Sequence, residues 1–288
     1  MKDIVRFCLI SVFFMFLFSV VYLTKWIYEV ESGNYQYTLP GSETYKALRK
    51  SKQKTNKKKL IIGDSTGNQF YSVSDDDDDY YSLACNQAIS LCGHFFLLDN
   101  FLKAGNRPEQ VYLIFNIFTF SNNLDQEFSF HYFLKPFYNT EYKSRMSETV
   151  HRQIEKIPFY RLSQFPRMLA SMWSPNYKPQ KEFQLMSPIS NEYLLKIDSL
   201  GREYDIEMYL IPSLIPESQK EIIYQLSSDC TGEVNEKLKP VFQSFMKEIT
   251  YVNDTCFMDD KHLKAPIKFR HLIEEKMSDS NFSFKTQY

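Results

Sequence analysis

The sequence predicts an α/β domain built on a parallel sheet with helices on both faces, preceded by one membrane-spanning helix. Three observations carry that expectation. Short β-rich apolar runs at 60–63, 110–118 and 206–212 alternate with segments of helical periodicity, as parallel strands joined by crossover helices do. An uncharged run of 18 residues, FCLISVFFMFLFSVVYLT, lies between Arg6 and Lys25 and is about long enough to cross a bilayer. The chain of 288 residues can hold one sizeable core with a lobe inserted into it.

Residues 1–27 are read as the anchor. Lys2 and Arg6 precede the apolar run, and only Lys25 follows closely before Glu29 and Glu31. This bias puts the N-terminus in the cytoplasm and the bulk of the chain outside. SVVYLTKW has no A-x-A-like cleavage pattern, so an uncleaved anchor is preferred to a signal peptide. Residues 28–57, carrying Lys46, Arg49, Lys50, Lys52, Lys54 and Lys57, read as a basic, solvated stalk.

The α/β domain is expected over 58–288. LIIG (60–63) is its first buried strand. SDDDDDYY (74–81) reads as a self-repelling loop, because a calcium loop needs alternating ligands and a glycine turn. LACNQAISLCGHFFLLDNFLKAG (83–105) has helical spacing and ends on Gly105, and QVYLIFNIF follows as a central strand. Residues 119–186, with FHYFLKPFY and FYRLSQFPRMLASMW, break the alternation and predict a mostly helical insertion over the carboxyl edge of the sheet. Irregular packing against the core is the competing reading. A helix near 190–203, a strand at 206–212, a helix near 217–228, a short last strand within 247–253 and a last helix at 266–277 complete the order.

A net charge of −1 offers no general attraction to nucleic acid, and none is expected as a partner. No CxxC or Cys/His cluster is present, so no metal or other cofactor is expected. Cys85 and Cys92 read as small buried apolar residues. Cys230 and Cys256 would be free to pair in an oxidising compartment, a point that spacing leaves open.

With only eight glycines in the chain, Gly63 and Gly67 on either side of Ser65 draw attention to GDSTG. A serine on a strand-to-helix turn sits at the carboxyl edge of an α/β sheet, where ligands bind. It is also a preferred helix N-cap, as is Asp64. A hydroxyl attacks only when a base takes its proton. Of the five histidines, only His262 has an aspartate three residues earlier, in CFMDDKHLKAP. The spacing from Asp259 turns a carboxylate back onto the imidazole, and Asp260 is a less well spaced alternative.

The order of these blocks, GDS after the first strand and D-x-x-H after the last, resembles the SGNH/GDSL hydrolase superfamily over roughly residues 58–275. The resemblance implies a flavodoxin-like three-layer fold, with Ser65 as nucleophile, His262 as general base and Asp259 as its orienting partner. It implies oxyanion donors from two middle blocks, which depart from the family pattern here. Asn86 and Gln87 stand near the second block, and Asn122 or Asn123 near the third. The anchor and the insertion resemble an extracytoplasmic branch that includes alginate acetyltransferase-like and D-alanyl transfer proteins. That branch implies a membrane-anchored esterase or O-acyltransferase acting on a cell-surface polysaccharide through an acyl-enzyme, with a membrane acyl-transfer partner compatible with it. The alternative is a catalytically inactive SGNH-like protein that binds glycan or serves envelope assembly.

Overall fold

The computed structural model describes residues 2–31, 41–75, 77–164, 181–229, 231–279 and 282–284. Residue 230 lies outside them, and with it the open question of a Cys230–Cys256 pairing. Helix α1 (Lys2–Glu31) holds a candidate span, Lys2–Ile27, of 26 residues, whose most apolar 18 residues have mean hydropathy 2.5 and are not buried against the rest of the chain. At 1.5 Å per residue it spans about 39 Å, long and apolar enough to cross a membrane.

Four strands form one all-parallel sheet in the order β2-β1-β3-β4: β1 (Lys59–Gly63), β2 (Tyr80–Ser82), β3 (Gln110–Phe115) and β4 (Glu207–Pro212). Their side chains alternate between two cores. Leu60, Ile62, Leu113 and Phe115 join the larger one with α4 (Ser90–Lys103) and the Pro188–Glu203 helix. Ile61, Ile114 and Ile211 join the other, with Phe70 of α3 (Ser65–Phe70) and Ile273 and Met277 of the Arg270–Met277 helix. Burial on both faces is why these strands read as continuous apolar runs.

Several boundaries differ from expectation. The basic stalk does not extend through 57: α2 (Ser42–Ser51) is a helix whose Ala47 and Leu48 enter the larger core. Its lysines and Arg49 cover the outer face while a thin apolar stripe packs inward, which is ordinary amphipathic behaviour. Tyr80 and Tyr81, assigned to the acidic loop, begin β2 instead. The helix expected from residue 83 starts at Ser90, after an extended run and a short turn capped by the Asn86 side chain. Ser90 itself has φ 53, a left-handed kink that separates that turn from α4. The short strand within 247–253, Tyr251–Val252 (β6), pairs with β5 (Ile215–Pro216) in a separate two-stranded sheet. The main sheet's outer strand β4 is met instead by Ser283 in an antiparallel bridge, with Phe284 N–H donating to Met208 C=O at 2.7 Å.

The described part of the insertion is a chain of short helices, Lys135–Phe137, Thr140–Lys143 and Glu148–Lys156, after a π-helical turn at Phe130–Leu134. Phe130, Phe133, Phe137 and Tyr142 are buried in the larger core. Most of its aromatics therefore act as packing. Residues 165–180 lie outside the described set.

Candidate active site

β1 ends on Gly63, and α3 begins two residues later, so Asp64 and Ser65 sit on a turn with almost no room. A Cβ on Gly63 would lie 2.7 Å from the Ile114 carbonyl oxygen, and one on Gly67 would lie 2.8 Å from the same atom. Only hydrogen fits at either position, which lets α3 press directly onto β3. Asp64 is fully buried and caps α3. Its Oδ1 accepts the Thr66 N–H at 2.8 Å, the Gly67 N–H at 3.3 Å and the Thr66 hydroxyl at 2.6 Å. Its Oδ2 reaches across the sheet edge to accept the Asn116 N–H at 2.7 Å and the Thr119 hydroxyl. The N-cap role that sequence offered to Ser65 thus belongs to Asp64. Ser65 is left to point its hydroxyl elsewhere.

It points at histidine. The Ser65 hydroxyl donates to His262 Nε2 at 2.9 Å, although the two residues are 197 positions apart. On the far side of the ring, Nδ1–H donates to Asp259 Oδ2 at 2.8 Å. A carboxylate accepts only, so it selects the Nδ1–H tautomer and leaves Nε2 as the acceptor that a general base needs. Asp259 is itself fixed by the backbone N–H groups of Lys261 and His262, at 2.9 and 2.7 Å to its other oxygen. Partial burial acts to raise its pKa, but the hydrogen bonds from His262 and these N–H groups prevail and hold the carboxyl down at about 2. Asp260, the alternative partner, instead offers its backbone carbonyl to the Gln219 amide.

The loop that carries the histidine is pinned at its base. Phe257 and Leu263 form an antiparallel bridge, and the Met258 N–H donates to His262 C=O at 2.7 Å. Gln69, on the nucleophile's own helix, grips the loop from the other side. Its Oε1 accepts the Leu263 N–H at 3.1 Å and its Nε2 donates to Leu263 C=O at 3.2 Å. One amide therefore ties the serine helix to the residue after the base. Nothing in the sequence signalled that contact.

The oxyanion candidates fare unevenly. Asn86 uses its side-chain oxygen to cap Ala88 N–H, and its Nδ2 lies 3.4 Å from Glu43 Oε1. Asn122 is buried, with Nδ2 donating to the Gln87 carbonyl at 2.6 Å and its oxygen accepting Leu124 N–H. Both amides are committed to holding loops. The Asn123 side chain is buried with neither amide atom hydrogen-bonded among the described residues. The Gln87 side chain borders a cleft of about 450 Å³, together with Phe118, Lys181, Asp260 and Lys261. The last two adjoin His262 in the loop.

Sequence reasoning missed Asn116. It lay inside the run QVYLIFNIF and looked like strand, but β3 stops at Phe115. Asn116 is fully buried at the carboxyl end of β3, its N–H on Asp64 and its Oδ1 accepting Phe118 N–H at 3.1 Å. Its Nδ2 has no hydrogen-bond partner among the described residues. A buried amide left unmatched costs about 1–3 kcal/mol, and such groups ask for an explanation. Among the described residues no three His, Cys, Asp or Glu side chains group so as to hold a metal ion.

A serine, a histidine and a carboxylate in a single hydrogen-bonded chain can carry nucleophilic acyl transfer. Comparison of the whole chain with protein-family models, with curated proteins and with solved structures found no match.

Proposed function

We propose that this protein is a serine-dependent esterase or O-acyltransferase of the SGNH/GDSL type, held at a membrane by α1 with its α/β domain on the extracytoplasmic side. One observation supports it above all others: the Asp259–His262–Ser65 chain, at 2.8 and 2.9 Å, on the carboxyl edge of a parallel sheet. The strand order β2-β1-β3-β4 agrees with a flavodoxin-like arrangement of the first four strands.

In this reading Ser65 Oγ attacks an ester carbonyl carbon while its proton passes to His262 Nε2. Asp259 holds the ring and stabilises the imidazolium that forms. The negative charge that develops on the carbonyl oxygen is met by the Ser65 N–H and by the unmatched Nδ2 of Asn116. Collapse expels the alcohol, which takes the proton from His262. Water or a sugar hydroxyl then attacks the acyl-enzyme with His262 again as base. A cell-surface polysaccharide is the proposed acyl acceptor or ester substrate.

A second reading keeps the fold and gives up the chemistry, making the cleft a glycan-binding or assembly surface. The committed amides of Asn86 and Asn122 favour it. One experiment separates the two. The full-length protein in nanodiscs is treated with a fluorophosphonate probe and assayed for acetyl-ester turnover, beside Ser65→Ala. Active-site chemistry predicts labelling and turnover that vanish in the variant, by a factor of about 10⁴ or more. Equal labelling and turnover in both proteins would sink the nucleophile assignment.

A further inference from the structure

The chain enters the domain at an unexpected edge. β1 starts at the amino edge of the sheet, where Lys59 pairs with Gln110 and Tyr80. The shortest entry from an N-terminal anchor would arrive there directly. Instead α2 intervenes and runs antiparallel to the strands. Its first turn lies at the carboxyl edge, where Glu43 meets the Asn86 amide just beyond β2. Its far end reaches toward the amino edge, where the Asn100 amide, near the end of α4, donates to the Ser51 hydroxyl at 3.3 Å. The described domain therefore begins, at Gly41, beside the residues that border the cleft. A Cβ on Gly41 would lie 2.8 Å from the His131 carbonyl oxygen, so its backbone is pressed against the Phe130–Leu134 turn. Gln87 follows Asn86 into the cleft wall, and Gln126 borders the same cleft a few residues before that turn.

Chain length then limits how far this edge can stand from the bilayer. From Glu31, the end of α1, to Gly41 there are ten Cα steps. Ten residues reach at most about 34 Å when fully extended, and a relaxed coil spans about 18 Å. A domain of this size is about 45 Å across. A cleft on the edge opposite the tether would stand a whole domain further out. Phe128, exposed by 54 % on the tether side, presents an aromatic ring of the kind that lodges at a bilayer interface.

We propose that the carboxyl edge, with the Ser65–His262 pair, faces the bilayer, and that the esters processed there are carried at the membrane surface rather than free in solution. The bilayer is the partner of this face, and α2 is the device that turns it inward. The substrate part of the inference rests on the esterase or acyltransferase reading, whereas the orientation does not. Tethering within this range corresponds to a local substrate concentration in the millimolar range, against micromolar amounts in bulk.

Two measurements on the full-length protein in nanodiscs test it. In a background whose other accessible cysteines are serine, Phe128→Cys and Glu109→Cys are labelled with a fluorophore, and quenching by nitroxide-bearing lipids is read. Glu109 is the control because it precedes β3 at the amino edge. Orientation as proposed gives at least about threefold stronger quenching at 128 than at 109, and equal or reversed quenching overturns it. The second measurement inserts four EAAAK repeats between residues 35 and 36, adding about 30 Å. Turnover of an acetyl ester on a lipid anchor should fall about tenfold or more, with a water-soluble acetyl ester unaffected. Unchanged turnover of the lipid-borne ester overturns the substrate inference. Loss of all turnover in the unmodified protein overturns the catalytic reading alone, because the quenching result stands without it.

Discussion

Asp64→Asn is the substitution with the most to say about how Ser65 is held. It conserves shape and replaces one carboxylate oxygen by an NH₂ group. The carboxylate accepts five hydrogen bonds, from Thr66 N–H and hydroxyl, Gly67 N–H, Asn116 N–H and the Thr119 hydroxyl. Either orientation of the amide sets a donor against at least one of those backbone N–H groups, orphaning it at a cost of about 1–3 kcal/mol. The remaining bonds weaken because their acceptor is no longer charged, each by about 1 kcal/mol. Relief from holding a charge in a buried site offsets part of this. The net expectation is a loss of about 2–4 kcal/mol, which lowers the midpoint of thermal unfolding by about 4–16 °C. Urea unfolding followed by circular dichroism measures the first quantity. Amide exchange at Thr66, Gly67 and Asn116 tests its cause. A stability change below about 0.5 kcal/mol, or unaltered protection at Asn116, would refute the account of the turn.

Four further outcomes follow. Asp259→Asn removes the group that selects the His262 tautomer. Because the Asp259 side chain is 50 % exposed, water substitutes for it in part, and kcat should fall by about 10²–10³ rather than the roughly 10⁴ seen for buried triad carboxylates. Gly67→Ala must push α3 off the Ile114 carbonyl, with a loss of about 1–3 kcal/mol by chemical denaturation and a lower kcat, and an unchanged denaturation midpoint would contradict the close approach. Gln69→Ala frees the histidine loop, so kcat should drop about tenfold with KM nearly unchanged, and Gln69→Glu, which cannot donate to Leu263 C=O, should not restore it. His94 is fully buried against Phe115, with no hydrogen bond to either ring nitrogen among the described residues, and burial pushes its pKa down to about 3. Its folded pKa is below the unfolded value of about 6.5, so the stability it contributes is complete above pH 6.5 and drains away as pH falls toward 3. His94→Leu should flatten that slope, worth about 3 kcal/mol between pH 7 and pH 4, in unfolding curves taken at those two values.

What could be read from the sequence was what local spacing encodes. GDS after an apolar run and D-x-x-H near the end are short motifs, and each is positioned by its own few residues. The alternation of β1, α4, β3, the Pro188–Glu203 helix and β4 was legible because strands buried on both faces have no polar positions to blur them. α2 was not, since its apolar stripe of Ala47 and Leu48 is thin and its lysines look like those of a linker. β2 was hidden by its three-residue length and the aspartates before it. Asn116 was hidden because a polar residue at the end of an apolar run is indistinguishable from strand until the partner strand's length is known. Asn86 and Asn122 were the opposite case. They were amides at plausible positions whose oxygens accept from N–H groups two residues on, Ala88 and Leu124, and whose NH₂ groups go to Glu43 and the Gln87 carbonyl, contacts distant in sequence.

The hydrogen bond between Ser65 and His262 also has a consequence for the life of the protein before it is finished. Ser65 leaves the ribosome early and His262 late, with β2, β3 and β4 still to be made between them. Until residues 254–264 are made and folded onto α3, the Ser65 hydroxyl has no imidazole to donate to and Gln69 has no Leu263 backbone to hold. The hydrogen-bonded chain is therefore a property of the finished fold, and a chain truncated before residue 254 would carry the serine turn without it.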